Sequence, residues 1–284
     1  MTLDSQLVCR AADRKGFKEL CSDEGLFGDA TGRPKVYGVK SFEHAFDRLE
    51  DRCEEVLNLV PDFDERFIRE DADWSAKIYP ELKGFLQSAA NDHPKIRLAL
   101  DAHTTLAFAA GSVLNIKSGR AVELEQRTIA RDLWSADDVP ADPDWPTLDQ
   151  TVIELNADAQ DVAVAFSITH DIADDVRRYA EDRLPSVGQL LVLRPSTGAN
   201  SQVVASGRHA FDLAQSTRNA IRSIKRKTLH PTVSHLFVAA PNALTFFLGQ
   251  QAAVLGRVRL YEFDFEGGRD LSYRPSLTLP VSKL

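Results

Sequence analysis

The sequence predicts an α/β fold of two tandem, pseudo-symmetric Rossmann-like halves, each built on a mostly parallel sheet. The first observation is the stretch from His235 to Phe265, where an apolar run, a helix-length segment and a second apolar run follow one another. The second is that similar segments alternate upstream, which is typical of βαβ units. The third is a loop rich in Pro, Trp and acidic residues at 136–146 (ADDVPADPDWP). Such a loop favours a boundary, with the first half at 39–146 and the second at 147–284.

The N-terminal part combines a polar segment with two predicted helices. Residues 1–38 are polar and include the turn-forming run LFGDATGRPK at 26–35. Residues 76–89 have the length of a helix, and Ser41 is the expected N-cap of an earlier one at 39–60. The apolar face predicted for that earlier helix consists of Phe42, Ala45, Phe46, Leu49, Cys53, Val56 and Leu57.

The sheet pattern begins in the first half and then repeats. The first half has a strand at 96–101, a small-residue helix at 106–114 and a strand at 122–126. The second half has predicted elements at 152–155, 161–170, 172–183, 188–193, 208–226, 236–240, 243–255 and 258–263. Strands and helices alternate among them, so each half is expected to form a parallel sheet. Identity between the halves is weak, so the repeat is one of architecture.

Composition excludes several classes of function. The 284 residues are 43% hydrophobic and 27% charged, as in a globular protein with a sizeable core. A net charge of −8 argues against duplex nucleic acid or an anionic membrane as the main partner. Cys9, Cys21 and Cys53 are scattered, which predicts reduced thiols and no disulfide framework or zinc site. Without a signal-peptide pattern or a membrane-spanning apolar run, we expect a cytoplasmic protein.

Polar loops at the predicted carboxyl ends of strands form the candidate site. These loops are DAHT at 101–104, SITH at 167–170, RPSTG at 194–198 and APN at 240–242. Their hydroxyl, amide and backbone N–H groups suit phosphates and sugar edges, and they need no lysine to do so. Ser, Thr and Asn also begin helices as N-caps, so for any one of these residues taken alone the N-cap interpretation is favoured. Only the cluster of loops favours a ligand site.

Other polar residues favour structural roles. His103, His170 and His235 lack partners at metal-ligand spacing, so no metal is expected. The basic run at 218–227 (RNAIRSIKRK) is typical of a solvated helix end. The chain also lacks GxxxxGK[ST], HExxH and GxSxG motifs and a strand-following GxGxxG. We therefore expect no cofactor.

Several stretches together resemble the SAVED domain, the sensor module of bacterial CBASS anti-phage systems. The C-terminal ones are HLFVAAPNALTFFLGQQ, VRLYEFDF and YRPSLTLP, the last at 273–280. The stretch at 98–127 (LALDAHTTLAFAAGSVLNIKSGRAVELEQR) is similar to the family's first-half signature, and FDERFIREDADW is similar to the segment before it. The resemblance covers about 39–280, and the order and spacing of the stretches make it specific.

The resemblance implies two fused CARF-like Rossmann halves that recognise a cyclic oligonucleotide, with a cyclic trinucleotide favoured. A partner nucleotidyltransferase would make this messenger after infection. Relatives fuse the module to an effector, but residues 1–38 are too short for such a domain. The effector is therefore expected to be a separate subunit or part of a longer protein from which this sensor was cut. Signalling is expected to proceed by self-association when ligand binds.

The expected ligand-binding residues come from the strand-end loops and from the stretches that resemble the SAVED domain. Backbone near Pro241 and Asn242 would meet phosphate, and imidazoles and hydroxyls would read ribose or base edges. No catalytic residue is expected. The full set is His103, Thr104, Lys117, Ser167, Thr169, His170, Arg194, Pro241, Asn242 and Gln250.

Two enzymatic alternatives stay open. A ring nuclease could cleave the cyclic ligand by positioning a ribose 2′-OH for in-line attack, with His103 and His170 as the contacting groups. An enzyme acting on a nicotinamide or sugar nucleotide could use the same kind of sheet, but the missing glycine fingerprint disfavours it.

Overall fold

A computed structural model of the protein describes the parts of the chain that carry both sheets. These are residues 35–43, 47–64, 67–69, 72–93, 95–119, 121–127, 131–225, 232–263 and 272–281. Most of the polar N-terminal segment, with its turn-forming run and with Cys9 and Cys21, lies outside them, as do the last two residues of the basic run. Among the described residues, no helix is long and apolar enough to cross a lipid bilayer.

The first half contains a five-stranded sheet and a small hairpin. The elements are β1 Lys35–Lys40, β2 Glu55–Asn58, β3 Phe63–Asp64, β4 Phe67–Ile68, α1 Tyr79–Asp92, β5 Lys95–Asp101, α2 Thr104–Val113, β6 Ala121–Arg127 and β7 Arg131–Trp134. The sheet order is β2-β1-β5-β6-β7, and every neighbouring pair is parallel except β6 and β7. The hairpin pairs β3 with β4, and a single turn of π-helix at Trp74–Ile78 leads into α1.

The second half contains a six-stranded sheet. Its elements are β8 Leu148–Glu154, β9 Asp161–Ser167, α3 Ala173–Arg183, β10 Val187–Pro195, α4 Gly207–Lys225, β11 Ser234–Ala239, α5 Asn242–Gly249, α6 Ala252–Leu255, β12 Val258–Phe263 and β13 Tyr273–Leu279. The strand order is β13-β12-β11-β9-β10-β8. The four central strands are parallel, and the edge strands β13 and β8 are antiparallel to their neighbours. The predicted mixed α/β fold with mostly parallel sheets is therefore confirmed.

The predicted helix at 39–60 is wrong. The chain there finishes β1, forms a short 3-10 turn at Leu49–Asp51 and then forms β2. β1 lies between β2 and β5 and pairs with both, so its backbone groups are satisfied by the sheet. Non-local strand pairing overrides a local helical pattern of apolar residues. Ser41 is therefore no helix cap. Its hydroxyl instead accepts a hydrogen bond from the backbone N–H of His103 at 2.9 Å.

Two helices, one from each half, cross at very short range. A Cβ atom added to Gly111 of α2 would lie 2.0 Å from the carbonyl oxygen of Phe246, and one added to Gly249 of α5 would lie 2.0 Å from that of Phe108. Because glycine has no side chain, the backbone of the other helix can pack directly against each of these two positions. Both phenylalanines are fully buried in one core cluster that includes residues of both halves.

The predicted repeat of architecture also extends to the residues of these two strand–helix units. Each helix follows the strand of its own half, β5 or β11, and carries a Phe-x-x-Gly segment. The two strand–helix units align without a gap. The matched pairs include Leu98 with Leu236, Ala102 with Ala240, Leu106 with Leu244, Phe108 with Phe246, and Gly111 with Gly249.

The loop between the halves docks on the N-terminus of α4. Asp138 accepts hydrogen bonds from the backbone N–H groups of Gly207 at 2.7 Å and Arg208 at 2.9 Å. The imidazole of His209 stacks on Trp145 with a centroid separation of 5.0 Å. Its Nε2 lies 2.9 Å from the carbonyl oxygen of Pro146, and its Nδ1 accepts from the N–H of Ala205 at 3.2 Å. Accepting at Nδ1 requires the neutral imidazole, with the proton on Nε2.

Two buried histidines make the stability of the fold depend on pH. Burial lowers the pKa of His209 below its ordinary value of 6.5, although the Pro146 carbonyl opposes this shift. Burial likewise lowers the pKa of His235, against the opposing effect of Asp161, whose Oδ2 lies 3.5 Å from Nε2. Below the ordinary pKa the unfolded chain takes up protons that the folded chain does not. Their contribution to stability is therefore complete above pH 6.5 and is lost as the pH falls below that value.

We expect the free energy of unfolding to decrease when the pH falls from about 7.5 to about 5.5. Urea titrations at both pH values measure this decrease. The variant His209→Gln keeps an amide donor and acceptor but cannot titrate, so it should lose less stability over the same interval. A variant as pH-sensitive as the natural chain would contradict the assignment to His209.

Candidate functional site

The carboxyl ends of the parallel strands open onto a cleft between the two halves. We call it the inter-half cleft and define it by Leu100, Asp101, Gln126, Arg127, Pro241 and Asn242. It consists of two adjoining hollows of about 260 and about 530 Å³ that share Gln126 and Arg127. Ligands of open parallel sheets bind at such strand ends. The inter-half cleft is therefore the main candidate site.

The N-terminus of α5 is held against the first half by two side chains. The amide of Asn242 donates to the carbonyl oxygens of Leu100 at 3.2 Å and Ala102 at 2.9 Å. The side-chain oxygen of Gln126 accepts from the backbone N–H of Ala243 at 3.3 Å. The helix end that faces the cleft thus has a neutral cap. Its partial positive charge stays available to an anion.

An arginine cluster supplies the positively charged side chains of the inter-half cleft. Arg52, Arg127 and Arg131 line the cleft, and all three form ion pairs with Asp47. Burial raises the pKa of Asp47, but the three guanidinium groups outweigh that effect and hold the pKa below its ordinary value of 3.8. Arg52 also pairs with Glu125. Asp47 is therefore ionised at neutral pH and holds the three arginines together.

The cluster is suited to binding phosphates. The side chains of Arg127 and Arg131 are 41% and 48% exposed, so both present guanidinium N–H groups to the cleft. Guanidinium groups bind phosphate through two parallel hydrogen bonds. A phosphate has to compete with Asp47 for these donors. A ligand with several phosphates therefore fits the site better than a single small anion.

A second, smaller crevice lies at the strand ends of the second half. It has a volume of about 90 Å³ and lies beside the N-terminus of α2. The carboxylate of Glu262 accepts from the backbone N–H of Thr105 at 2.7 Å, and Thr105 also shares a 2.6 Å hydroxyl hydrogen bond with Ser276. The lining is acidic and aromatic and includes Thr104, His170, Asp171, Asp175, Tyr261, Glu262, Phe263 and Tyr273.

The structure brings several predicted residues to these two sites. Pro241 and Asn242 line the inter-half cleft, and Thr104 and His170 line the second crevice. Three others lie around the second crevice. Ser167 is fully buried and accepts from the N–H of Ile172, Thr169 contacts His170 Nδ1 at 3.0 Å, and Arg194 pairs with Asp171 at 2.9 Å. Arg194 lies within β10, which is longer than predicted.

Three predicted residues are placed elsewhere. His103 is 2% exposed, with Nδ1 2.6 Å from the Ser41 hydroxyl and its ring stacked on Phe63 at 4.4 Å, which supports a packing role. Lys117 follows α2 and Gln250 follows α5, so both lie at the helix ends remote from the strand ends. Gln250 donates to the carbonyl oxygen of Leu114 at 2.8 Å and ties these two ends together.

The residues of the inter-half cleft that the sequence did not predict include Arg52, Gln126, Arg127 and Arg131. One signal was available, because Gln126 ends a predicted strand and Arg127 follows it, just as Asn242 follows another. Arg52 and Arg131 carried no such signal. Arg52 lay in a segment with a helical pattern, and Arg131 lay beyond the last strand predicted in the first half.

Comparisons with known proteins agree with this architecture. Residues 78–279 match the family described as "SMODS-associated and fused to various effectors sensor domain", abbreviated SAVED. The chain is also 32% identical over 266 residues to CD-NTase-associated protein 4 of Enterobacter hormaechei subsp. hoffmannii (strain UCI 50). That match covers 93% of this chain and 52% of the relative. The chain thus spans about half the length of this curated relative.

Solved structures with a similar fold include two receptors. One is the Acinetobacter baumannii Cap4 SAVED/CARF-domain containing receptor with the cyclic trinucleotide 2′3′3′-cAAA. The match has a TM-score of 0.63 and 16% sequence identity, and it covers 92% of this chain and 53% of that chain. The other is the Moraxella osloensis Cap4 SAVED/CARF-domain containing receptor. That match has a TM-score of 0.55 and 17% sequence identity, and it covers 92% of this chain and 52% of that chain. At these identities the likeness shows a common fold.

Proposed function

Because this chain belongs to the SAVED family of sensor domains, we propose that it binds a cyclic oligonucleotide second messenger in the inter-half cleft. A cyclic trinucleotide is the favoured ligand, since a similarly folded receptor was solved with one. The chain would act as the sensor of a CBASS-type anti-phage system. It would pass the signal to an effector domain or subunit.

The observation that carries this proposal is the placement of Arg127 and Arg131 beside the neutral-capped N-terminus of α5. Both residues lie at strand ends of the first half, whereas Pro241 and Asn242 come from the second half. A ring of nucleotides presents several phosphates, and both halves can reach it at the same time. The ligand would then bridge the two halves.

We expect a cyclic trinucleotide to raise the melting temperature of the protein. A ligand that binds only the folded state at about 100 times its Kd stabilises that state by about 2.7 kcal/mol. For a chain of 284 residues that corresponds to a shift of roughly 5 °C. A thermal-shift series with cyclic di-, tri- and tetranucleotides measures it.

Linear nucleotides of the same base composition are the matched control ligands. An unchanged melting temperature with every cyclic ligand would overturn the sensor proposal. The bound ligand should also be recovered intact by chromatography. Recovery of linear products would favour the ring nuclease instead.

We further propose that the ligand makes the protein self-associate. A cyclic ligand has several chemically similar edges, so one that is held by a first protomer can offer a free edge to a second. A contact of this kind is heterologous, and it extends into a chain of protomers instead of closing into a two-fold dimer.

Light scattering coupled to size exclusion should therefore give the mass of a monomer without ligand and larger masses with saturating ligand. The Arg127→Ala variant should stay monomeric at the same ligand concentration. A mass that saturating ligand does not change would mean that the signal passes through a conformational change within one protomer.

A further inference from the structure

We infer that a single residue in each half, Gln126 in the first and Glu262 in the second, decides which of the two strand-end sites accepts phosphate. This inference rests on the proposed function and concerns the same ligand. The two residues occupy equivalent places in the repeat. Leu124 of β6 pairs with Leu98 of β5, and Leu260 of β12 pairs with Leu236 of β11. Gln126 and Glu262 each follow the second leucine of their pair by the same spacing.

The two residues also make equivalent contacts with the opposite half. Gln126, from the first half, accepts from the N–H of Ala243 at the start of α5. Glu262, from the second half, accepts from the N–H of Thr105 at the start of α2. Each half therefore caps the central helix of the other. The two capping hydrogen bonds are therefore equivalent in their placement.

The caps differ in charge, and so do their surroundings. The amide of Gln126 adds no charge at the α5 N-terminus, and Arg127 follows it. The carboxylate of Glu262 satisfies the same kind of helix end with a full negative charge, and Phe263 follows it. Asp171 and Asp175 also line the second crevice, and each is paired with an arginine. The difference that a phosphate meets is therefore at the helix ends, where one N-terminus is capped by the Glu262 carboxylate and the other by an uncharged amide next to guanidinium groups.

An isosteric exchange at each position tests this inference. Gln126→Glu places a carboxylate at the α5 N-terminus, beside the arginines, and should weaken binding of a cyclic trinucleotide by about tenfold or more. Glu262→Gln should change the affinity of the inter-half cleft by less than about twofold, and it should allow tripolyphosphate to bind at the second crevice as an additional, weaker site. Gln126→Met removes the same hydrogen bond without adding charge. It should weaken binding much less than Gln126→Glu does.

Isothermal titration calorimetry with cyclic tri-adenylate and, separately, with inorganic tripolyphosphate gives these affinities, and circular dichroism checks that each variant is folded. Equal weakening by Gln126→Glu and Glu262→Gln, or by Gln126→Glu and Gln126→Met, would overturn the inference. Tripolyphosphate binding that Gln126→Glu abolishes, in a natural chain that binds none of the cyclic di-, tri- and tetranucleotides of the thermal-shift series, would support the inference and overturn the proposed function. Binding of neither tripolyphosphate nor any of those cyclic nucleotides to the natural chain would overturn both.

Discussion

Replacing Gly111 with alanine is expected to destabilise the protein by about 3 kcal/mol or more, because the new Cβ atom meets backbone. The position of that atom lies 2.0 Å from the carbonyl oxygen of Phe246 and 2.9 Å from the backbone nitrogen of Gln250. Neither atom belongs to a side chain that could rotate away. The two central helices would have to separate, and the core around Phe108 and Phe246 would lose its packing.

Such a loss is a large part of the total stability, which is about 5–15 kcal/mol for a typical protein. Gly249→Ala should have a similar effect, since its Cβ atom would meet the carbonyl oxygen of Phe108 at 2.0 Å. Urea unfolding of each variant at constant pH measures the change in free energy. Variants that express only as aggregates can be compared through the yield of soluble protein.

Gly84→Ala is the matched control, because an added Cβ atom there has no neighbour within 4 Å. Gly84 lies exposed in the middle of α1, so alanine should stabilise the helix by about 0.5–1 kcal/mol. Gly111→Ala and Gly249→Ala variants as stable as the natural chain would contradict the close crossing of α2 and α5.

Removing both exposed arginines of the inter-half cleft should weaken binding of a cyclic trinucleotide by about 100-fold or more. A hydrogen bond to a charged group contributes about 1.5–3 kcal/mol, and about 1.4 kcal/mol corresponds to a tenfold change in Kd. Arg127→Ala and Arg131→Ala each remove a guanidinium group that faces the cleft. Loss of Arg127 should also make the affinity less sensitive to salt, because one phosphate contact is lost.

The fold should tolerate both substitutions, since these side chains are 41% and 48% exposed. Arg183→Ala serves as the control. It removes an arginine that is 64% exposed on α3 and pairs with its neighbour Asp182. Titration calorimetry of the double variant and of the control gives the comparison. Equal affinities in the two would place the ligand outside the inter-half cleft.

Local sequence patterns were sufficient where a segment's neighbours in space are also its neighbours along the chain. The strand β11, a helical stretch that ends before Gly256 and the strand β12 were all predicted from apolar runs and turn residues. The structure divides that helical stretch into α5 and α6, whereas the sequence predicted one helix. Their βαβ unit contains its own hydrogen bonds and part of its own core. The same holds for α1, β5 and α2, whose predicted bounds lie within a few residues of those observed.

The site was predictable only in part for the same reason. Pro241 and Asn242 follow an apolar strand directly, so their position at a sheet edge could be read locally. Arg52, Arg127 and Arg131 meet around Asp47 only after β1, β2, β5, β6 and β7 have assembled into one sheet. His103 shows the opposite case, since it follows a strand as expected but packs beneath Phe63 and away from solvent.

The sequence by itself determined the fold class, the alternation of strands and helices and the family, because periodicity and short motifs are properties of adjacent residues. Only the tertiary structure decided that Lys35–Lys40 and Glu55–Asn58 form strands, since β1 pairs with the distant β5 and β2 pairs with β1. It also decided that α2 and α5 touch through Gly111 and Gly249, and that Gln126 and Glu262 cap each other's halves with unequal charge. These contacts join residues far apart in the chain, and no local pattern records which distant surfaces will meet.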